Sequence, residues 1–124
     1  MKIFILFALL VFAIPTLAQE NFEFFEITGI PVMEGLTEAE DVRLVFDKPE
    51  GRIIHARFGG SVSGGEVMTF YRETLFQLGW VIDEGSAENS RAAFTRENEN
   101  LVIAITKEEP LEVTLDLGPA KEAS

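Results

Sequence analysis

The side chains that could perform acid–base or metal chemistry are one histidine and several groups of carboxylates. His55 is the only histidine in the 124 residues, and cysteine is absent. A general base needs a nucleophile and an orienting carboxylate beside it, and no Gly-x-Ser-x-Gly or similar motif supplies the nucleophile. One histidine also cannot build a histidine-rich metal site. The pattern favours a solvated or hydrogen-bonded strand histidine, and the catalytic alternative is a hydrolase that pairs His55 with a turn carboxylate.

The carboxylates lie in or beside polar turns, at residues 38–41, 83–84, 97–99 and 108–109. A carboxylate pair in a hydrolase must flank a cleft and include one group with a raised pKa, whereas turn positions are typical of solvated loops. Residues 97–100 are rich in side-chain oxygens but lack the glycine and the distal bidentate glutamate of an EF-hand loop. Without cysteine there is no thiol catalysis and no thiolate metal site. We therefore predict no catalytic residue, no metal and no cofactor.

Aromatic residues offer two kinds of contact site. Phe58, Tyr71 and Trp80 are candidates for lining an apolar ligand site, because Tyr and Trp combine a large apolar body with a polar group, although core packing is the simpler role. Phe76 lies off the main apolar stripe of the predicted helix, with Met68 on the flank of the same side, and these two form a candidate contact patch.

Residues 1–18 have the pattern of a secretory signal peptide. Met1 and Lys2 precede twelve uninterrupted apolar residues and Pro15, and small residues precede a predicted cut between Ala18 and Gln19. Twelve residues make a helix of about 18 Å, whereas a bilayer core of about 30 Å requires about 20 residues. We expect export to the periplasm or the medium, with a permanent anchor as the alternative. The missing cysteine excludes bacterial lipoprotein processing.

The predicted mature chain, residues 19–124, is strongly acidic. Without Lys2 it has nine Lys and Arg against 21 Asp and Glu, a formal charge of −12. This charge repels nucleic acid and anionic membrane surfaces, so we predict neither as a partner. No second apolar stretch is long enough to span a membrane. The length indicates one domain, which can bury a sufficient core without disulfides.

Alternation and turn residues predict six strands and one helix. Residues 42–47 and 52–58 form a hairpin around a Pro-Glu turn. The helix begins at a Ser63–Glu66 capping box and ends at Gly79, which Trp80 closes hydrophobically; its predicted apolar face is Val67, Phe70, Tyr71, Thr74, Leu75 and Leu78. Further strands are predicted at residues 80–83, 91–96, 101–106 and 111–117. The two glycine pairs near the start of the helix are a weak anion-site signal, because no P-loop lysine follows.

This order, ββαββββ, predicts an α+β fold in which one helix packs across one face of a single antiparallel sheet. We assign residues 42–117 to the domain and residues 118–124 to a tail. Residues 19–41 are predicted to be a short strand or an ordered arm, because several bulky apolar residues argue against disorder. The second sheet face is expected to be polar or partly covered by this arm.

The chain resembles a family of uncharacterised exported proteobacterial proteins in two motifs. The first is Val67-x-x-Phe70-Tyr71-x-x-x-Leu75-x-x-Leu78-Gly79-Trp80, and the second is Val45-Phe46-Asp47-Lys48-Pro49 upstream of it. The resemblance spans about residues 31–117. It implies bacterial export and a capped helix leading into antiparallel strands, and it implies no activity and no catalytic residue.

Three functional hypotheses follow. The leading one is a non-enzymatic interaction module of the periplasm that binds an envelope protein, since such a fold offers open sheet edges for strand addition. The second is a carrier of a small apolar ligand held between helix and sheet near Phe58, Tyr71 and Trp80. The third is the hydrolase that uses His55.

Overall fold

The computed structural model describes residues 23–86 and 89–120. Within these residues the chain forms one antiparallel sheet of seven strands and one main helix, which confirms the predicted α+β class. The elements are α1 (residues 23–28), β1 (Leu36–Glu38), β2 (Leu44–Lys48), β3 (Gly51–Gly60), α2 (Gly64–Gln77), β4 (Val81–Ile82), β5 (Arg91–Arg96), β6 (Glu99–Glu108) and β7 (Leu111–Pro119). Two short 3₁₀ turns span Glu40–Val42 and Glu84–Ser86.

The strand order across the sheet is β1-β3-β7-β6-β5-β4, and β2 pairs with β3 beside β1. Strand β3 lies between the β1/β2 edge and β7, and it pairs with β7 between Ile54↔Leu117 and Gly60↔Leu111. The predicted hairpin of β2 and β3 is confirmed, with Lys48 opposite Gly51 across the turn. Strand β2 begins at residue 44 rather than 42, because the preceding residues form a 3₁₀ turn.

Strands β1 and β2 together form one interrupted strand along β3. Strand β1 pairs with β3 up to Glu38↔Phe58, and β2 resumes at Leu44↔His55. Five residues on one side face only two on the other, so residues 39–43 bulge out of the sheet. The Ala39 N–H donates to the Arg57 carbonyl at 2.8 Å and ties the bulge to β3.

Both predicted caps of α2 are present. The Ser63 hydroxyl accepts from the Glu66 N–H at 3.2 Å, and the Glu66 carboxylate accepts from the Ser63 N–H at 3.0 Å, which completes the capping box. At the other end Gly79 has φ +90°, its N–H donates to the Phe76 carbonyl, and the Trp80 N–H donates to the Leu75 carbonyl at 2.9 Å. These two bonds are the Schellman motif, so the predicted limits of this helix are confirmed.

The core lies between α2 and one face of the sheet. Its largest side chains come from α2, from the loop after it and from the inward positions of the strands: Tyr71, Leu75, Trp80, Phe58, Phe94, Leu101, Ile103, Leu115 and Leu117. Phe24, Ile30 and Leu36 belong to the same cluster. The predicted domain boundary at residue 42 therefore does not coincide with an edge of the core.

The described part of the N-terminal arm is helical and then pairs as β1. Phe24 of α1 meets Phe58 edge to face at 5.1 Å, which places the arm on the helix side of the sheet. The alternative in which the arm covers the second sheet face is thus wrong for these residues. Short amphipathic segments such as this one are difficult to assign from sequence, because their burial depends on distant partners. The predicted signal segment, residues 1–18, and most of the predicted tail lie outside the described residues.

Among the described residues no helix is long and apolar enough to cross a bilayer.

Candidate functional site

His55 lies on the second face of the sheet, half exposed. Its Nδ1 is 2.5 Å from Asp116 Oδ1, and the two residues are directly opposite in β3 and β7. The carboxylate that meets the histidine therefore comes from a strand, and the predicted turn carboxylate is wrong. In the described residues no serine or threonine hydroxyl hydrogen-bonds with His55. The arrangement is a cross-strand polar pair.

A second polar pair follows on the same face. Arg57 Nε is 3.2 Å from a Glu112 carboxylate oxygen, and the other carboxylate oxygen of Glu112 accepts from the Thr106 hydroxyl at 2.8 Å. Both pairs are partly exposed, so solvent screens them and each contributes little to stability. Where β3 meets β7 this face is polar, as one of the two sequence expectations has it.

The acidic turn at residues 38–41 is not uniformly solvated. Glu38 faces the core side of β1, and its side chain is only 1% exposed. It forms a bidentate ion pair with Arg43, whose Nε donates to a Glu38 carboxylate oxygen at 2.7 Å. The hydrogen bonds to Glu38 raise the pKa of Arg43 above its ordinary range. The prediction of a solvated turn is therefore wrong for Glu38, because the bulge folds Arg43 back onto it.

The other carboxylates do not converge on a site. Among the described residues no group of three His, Asp or Glu side chains could hold a metal ion. The Glu108 carboxylate lies 2.9 Å from the position that a Cβ on Gly64 would occupy, beside the first turn of α2. With Glu66 also bonded there, the protein's own carboxylates complement the positive end of the helix dipole.

The three predicted ligand-lining residues are core residues. Phe58, Tyr71 and Trp80 are each about 1% exposed. The Tyr71 hydroxyl donates to the Pro31 carbonyl at 3.0 Å and accepts from the Met33 N–H at 3.4 Å, so the arm satisfies its polar group. Burial raises the pKa of Tyr71 above its ordinary range. The residues are used for packing helix, arm and sheet together.

The two residues of the predicted contact patch, Met68 and Phe76, do not lie on one surface. Met68 is 4% exposed and packs in the core, so its place in a surface patch is wrong. The buried arc of α2 contains Val67, Met68, Tyr71 and Leu75, whereas Leu78 is exposed. The helix is thus rotated about its axis relative to the face predicted from spacing. Phe76 is 77% exposed, as predicted.

Phe76 borders a groove of about 160 Å³ lined by Arg72, Phe76, Trp80, Ile82, Glu84 and Phe94, and Phe76 with this groove is called the helix-end patch here. Leu78 and Val81 are also exposed but do not line the groove; on β4 it is Ile82 that faces it, so Val81 points to the other face of the sheet. The patch therefore combines a protruding aromatic side chain with a small cleft.

Arg96 stabilises the turn that follows α2. Its guanidinium carbon lies 4.5 Å from the centroid of the Trp80 ring, a cation–π contact, and its Nη1 donates to the Leu78 carbonyl at 3.2 Å. The buried Trp80 Nε1 has no hydrogen-bond partner in the described part of the chain. The Gly79 cap, the Arg96 side chain and the buried Trp80 ring all stabilise the turn that ends α2. The backbone next to the helix-end patch is therefore well ordered by contacts.

A second exposed apolar group lies on β2 and was not singled out from the sequence. Leu44, Val45 and Phe46 are 50%, 46% and 52% exposed. The signal that could have revealed them is three consecutive apolar residues in a strand next to a turn, since alternate side chains must then point to both faces. Apolar side chains therefore lie on both faces of β2. Because no described strand pairs with the outer side of β2, these side chains remain exposed.

Comparison of the chain with protein-family models, curated proteins and solved structures found no match. The resemblance to exported proteobacterial proteins stays a prediction.

Proposed function

We propose that this chain is an exported, non-enzymatic interaction module that binds another protein of the bacterial envelope through the helix-end patch. The observation that carries the proposal is the 77% exposure of Phe76 beside a groove with apolar walls. Large aromatic side chains contribute much of the binding energy at protein interfaces, and exposed apolar clusters with polar rims mark such sites. Arg72 and Glu84 supply the polar rim.

The groove sets the kind of contact that a partner makes. A cavity of about 150 Å³ holds a benzene-sized group, and this groove has about 160 Å³. One aromatic or branched aliphatic side chain of the partner therefore fits between Phe76 and Ile82. The helix reduces the ordering cost of binding, because α2 and its cap fix the backbone at Phe76 before the partner arrives.

The signal-peptide pattern of residues 1–18 supports export, and the acidic composition supports a protein partner over nucleic acid or an anionic membrane. The absence of a nucleophile around His55 in the described residues supports a non-enzymatic role.

Site-specific photo-crosslinking in the native host tests the proposal. A photoreactive amino acid replaces Phe76 in one strain and Thr69, an exposed residue on the same helix, in another. We expect a discrete envelope protein to be captured from position 76 and not from position 69. The substitution Phe76→Asp should abolish co-purification of that protein, whereas Phe76→Leu should retain part of it, and both variants should keep the wild-type melting temperature.

Equal capture from both positions, or a partner that still binds the Phe76→Asp variant, would show that the helix-end patch is not the contact surface.

A further inference from the structure

Strand β2 is an open edge of the sheet. It pairs with β3 on one side, and no described strand pairs with its other side. Natural edge strands usually carry charges or prolines along their length, because an open apolar strand recruits another strand. Here the charges are confined to Asp47 and Lys48 at the turn end, and the three preceding residues are apolar and about half exposed.

The hairpin geometry shows which backbone groups face outward. The two-residue turn closes on the Lys48–Gly51 pair, which is hydrogen-bonded in such a hairpin. Hydrogen-bonded and non-hydrogen-bonded pairs alternate along antiparallel strands. Val45, opposite Ile54, and Asp47, opposite Arg52, therefore direct their N–H and C=O groups to the open edge.

The sequence of β2 is complementary to itself in one antiparallel register. When Val45 faces Val45 of a second copy, Leu44 faces Phe46 of that copy on the second sheet face, so all three apolar residues of β2 lie opposite apolar residues. Arg43 lies in the bulge and is ion-paired with Glu38, so it takes no part in the pairing. The outward-facing residues also pair with outward-facing residues, as a hydrogen-bonded ladder requires.

The neighbouring symmetric registers are worse. A pairing centred on Phe46 sets Val45 against Asp47, an apolar side chain against a charge. A pairing centred on Leu44 sets Val45 against Arg43, an apolar side chain against a charged residue that is ion-paired with Glu38. Only the register centred on Val45 sets every apolar residue of β2 against another apolar residue.

We propose that β2 pairs with β2 of a second copy of this chain, antiparallel and centred on Val45, so that two sheets join into one. The Arg43 N–H donates to the Glu40 carbonyl at 3.2 Å within its own turn, so the new ladder does not extend to Arg43. Val45 exchanges both of its bonds with its counterpart.

The dimer is reversible and depends on salt. A pair of five-residue strands buries less than the roughly 1,200 Å² of a standard interface, which gives a weak association. Each predicted mature chain has a formal charge of −12, so the two copies repel each other through their net charge. Salt screens this repulsion, because the Debye length falls from about 10 Å at 0.1 M to about 3 Å at 1 M.

Sedimentation velocity of the protein, purified in the form that its host accumulates, tests self-association. We expect a concentration-dependent shift from monomer to dimer mass, displaced to lower protein concentration as salt rises. A chain that stays monomeric at both ionic strengths up to its solubility limit overturns the proposal.

Charge substitutions at the two-fold centre test the register. Val45→Glu and Val45→Lys each place two like charges at directly opposite positions, whose Cα atoms lie about 5.5 Å apart in the pair, which should weaken the dimer on the order of 100-fold. Mixing the two variants places opposite charges there and should restore a dimer, seen by native mass spectrometry as the mixed mass. Val81→Glu, at an exposed valine on β4, is the matched control and should dimerise as the wild type does.

Circular dichroism checks that both Val45 variants fold. Dimers of either variant alone, or no mixed dimer in the mixture, would show that Val45 is not at the centre. If the wild-type chain is monomeric but co-purifies with a different protein, and the Val45→Glu variant does not, then β2 pairs with that protein and self-pairing is wrong.

The proposal is independent of the helix-end patch. Phe76→Asp should leave the dimer intact, and Val45→Glu should leave the position-76 crosslink intact, so the two proposals fail separately.

Discussion

At the scale of single residues, Tyr71 connects the arm to the core through its buried hydroxyl. Burial favours the neutral phenol and raises its pKa above the ordinary value of about 10. A group whose pKa is raised in the folded state contributes stability that is complete below the unfolded pKa and is lost as pH rises toward the folded pKa. We therefore expect alkaline unfolding that begins above about pH 10.

Tyr71 is the only tyrosine in the chain, so tyrosinate absorbance reports on it alone. The absorbance change should coincide with the loss of circular dichroism in an alkaline titration. Tyr71→Phe should have a flatter stability profile over the same pH range, although it loses one hydrogen bond at neutral pH. Tyrosinate that forms near pH 10 in a folded protein would contradict this expectation.

The Glu38–Arg43 pair is the buried ion pair of the bulge. Replacing Arg43 by Met leaves an uncompensated carboxylate whose side chain is 1% exposed, so unfolding should become easier by roughly 3 kcal/mol. Denaturant unfolding measures this cost. The double variant Arg43→Met with Glu38→Leu should recover most of the loss, because no buried charge then remains unpaired.

Arg57→Met is the control for that experiment. Its pair with Glu112 is partly exposed, with side-chain exposures of 41% and 22%, so the loss should stay below about 1 kcal/mol. Equal losses for the two arginines would show that the Glu38 pair is no better protected from solvent. Sequence spacing could not separate these pairs, because burial of Glu38 depends on β3 and on the bulge.

At the scale of elements, α2 and its caps depend mainly on residues that are close together in the sequence. Gly79 holds φ +90°, and the nearest atom to an added Cβ is Arg96 Cδ at 3.7 Å, so space is not limiting. Gly79→Ala should cost about 1–2 kcal/mol from the left-handed backbone alone. Thermal or denaturant unfolding gives the value.

Gly118→Ala in β7 is the matched control. Nothing lies within 4 Å of an added Cβ there, and its φ is outside the left-handed range. That substitution should change stability by less than about 0.5 kcal/mol. If Gly79→Ala were equally neutral, the Schellman cap would not depend on glycine.

At the scale of the whole molecule, the two proposed surfaces lie at different places on the sheet. Strand β4 ends the strand order, whereas β2 pairs with β3 at the other side. A β2-paired dimer would therefore present two helix-end patches at its outer ends. Two patches on one particle raise the apparent affinity for a partner that is itself repeated or clustered, without any new contact.

Export is also a property of the whole chain. We expect the protein in its host to begin at Gln19, because the small residues before it fit the cleavage pattern. Intact-mass measurement of the envelope fraction checks this. Ala18→Arg should block cleavage and accumulate the precursor, while Glu20→Arg, at the second residue after the cut, should be processed. A native product that retains Met1 would rule out the cut.

The sequence was sufficient where neighbours in the chain make the interaction. The capping box, the glycine cap of α2 and the turn of the β2–β3 hairpin all join residues within five positions, and all three are confirmed. Such signals fix where an element begins and ends, and alternation along the strands is enough to predict one antiparallel sheet with one helix.

Only the tertiary structure decided which surfaces of those elements are covered. Met68 is buried and Glu38 is ion-paired in the core, both contrary to the expectation from spacing or composition, and the contact of Phe24 with Phe58 decides between two alternatives that the sequence left open for the arm. The physical reason is that burial is set by segments far apart in sequence, which no local periodicity specifies. The same reasoning applies to β2: its composition is visible in the sequence, but its open edge exists because the sheet places β7 on the other side of β3.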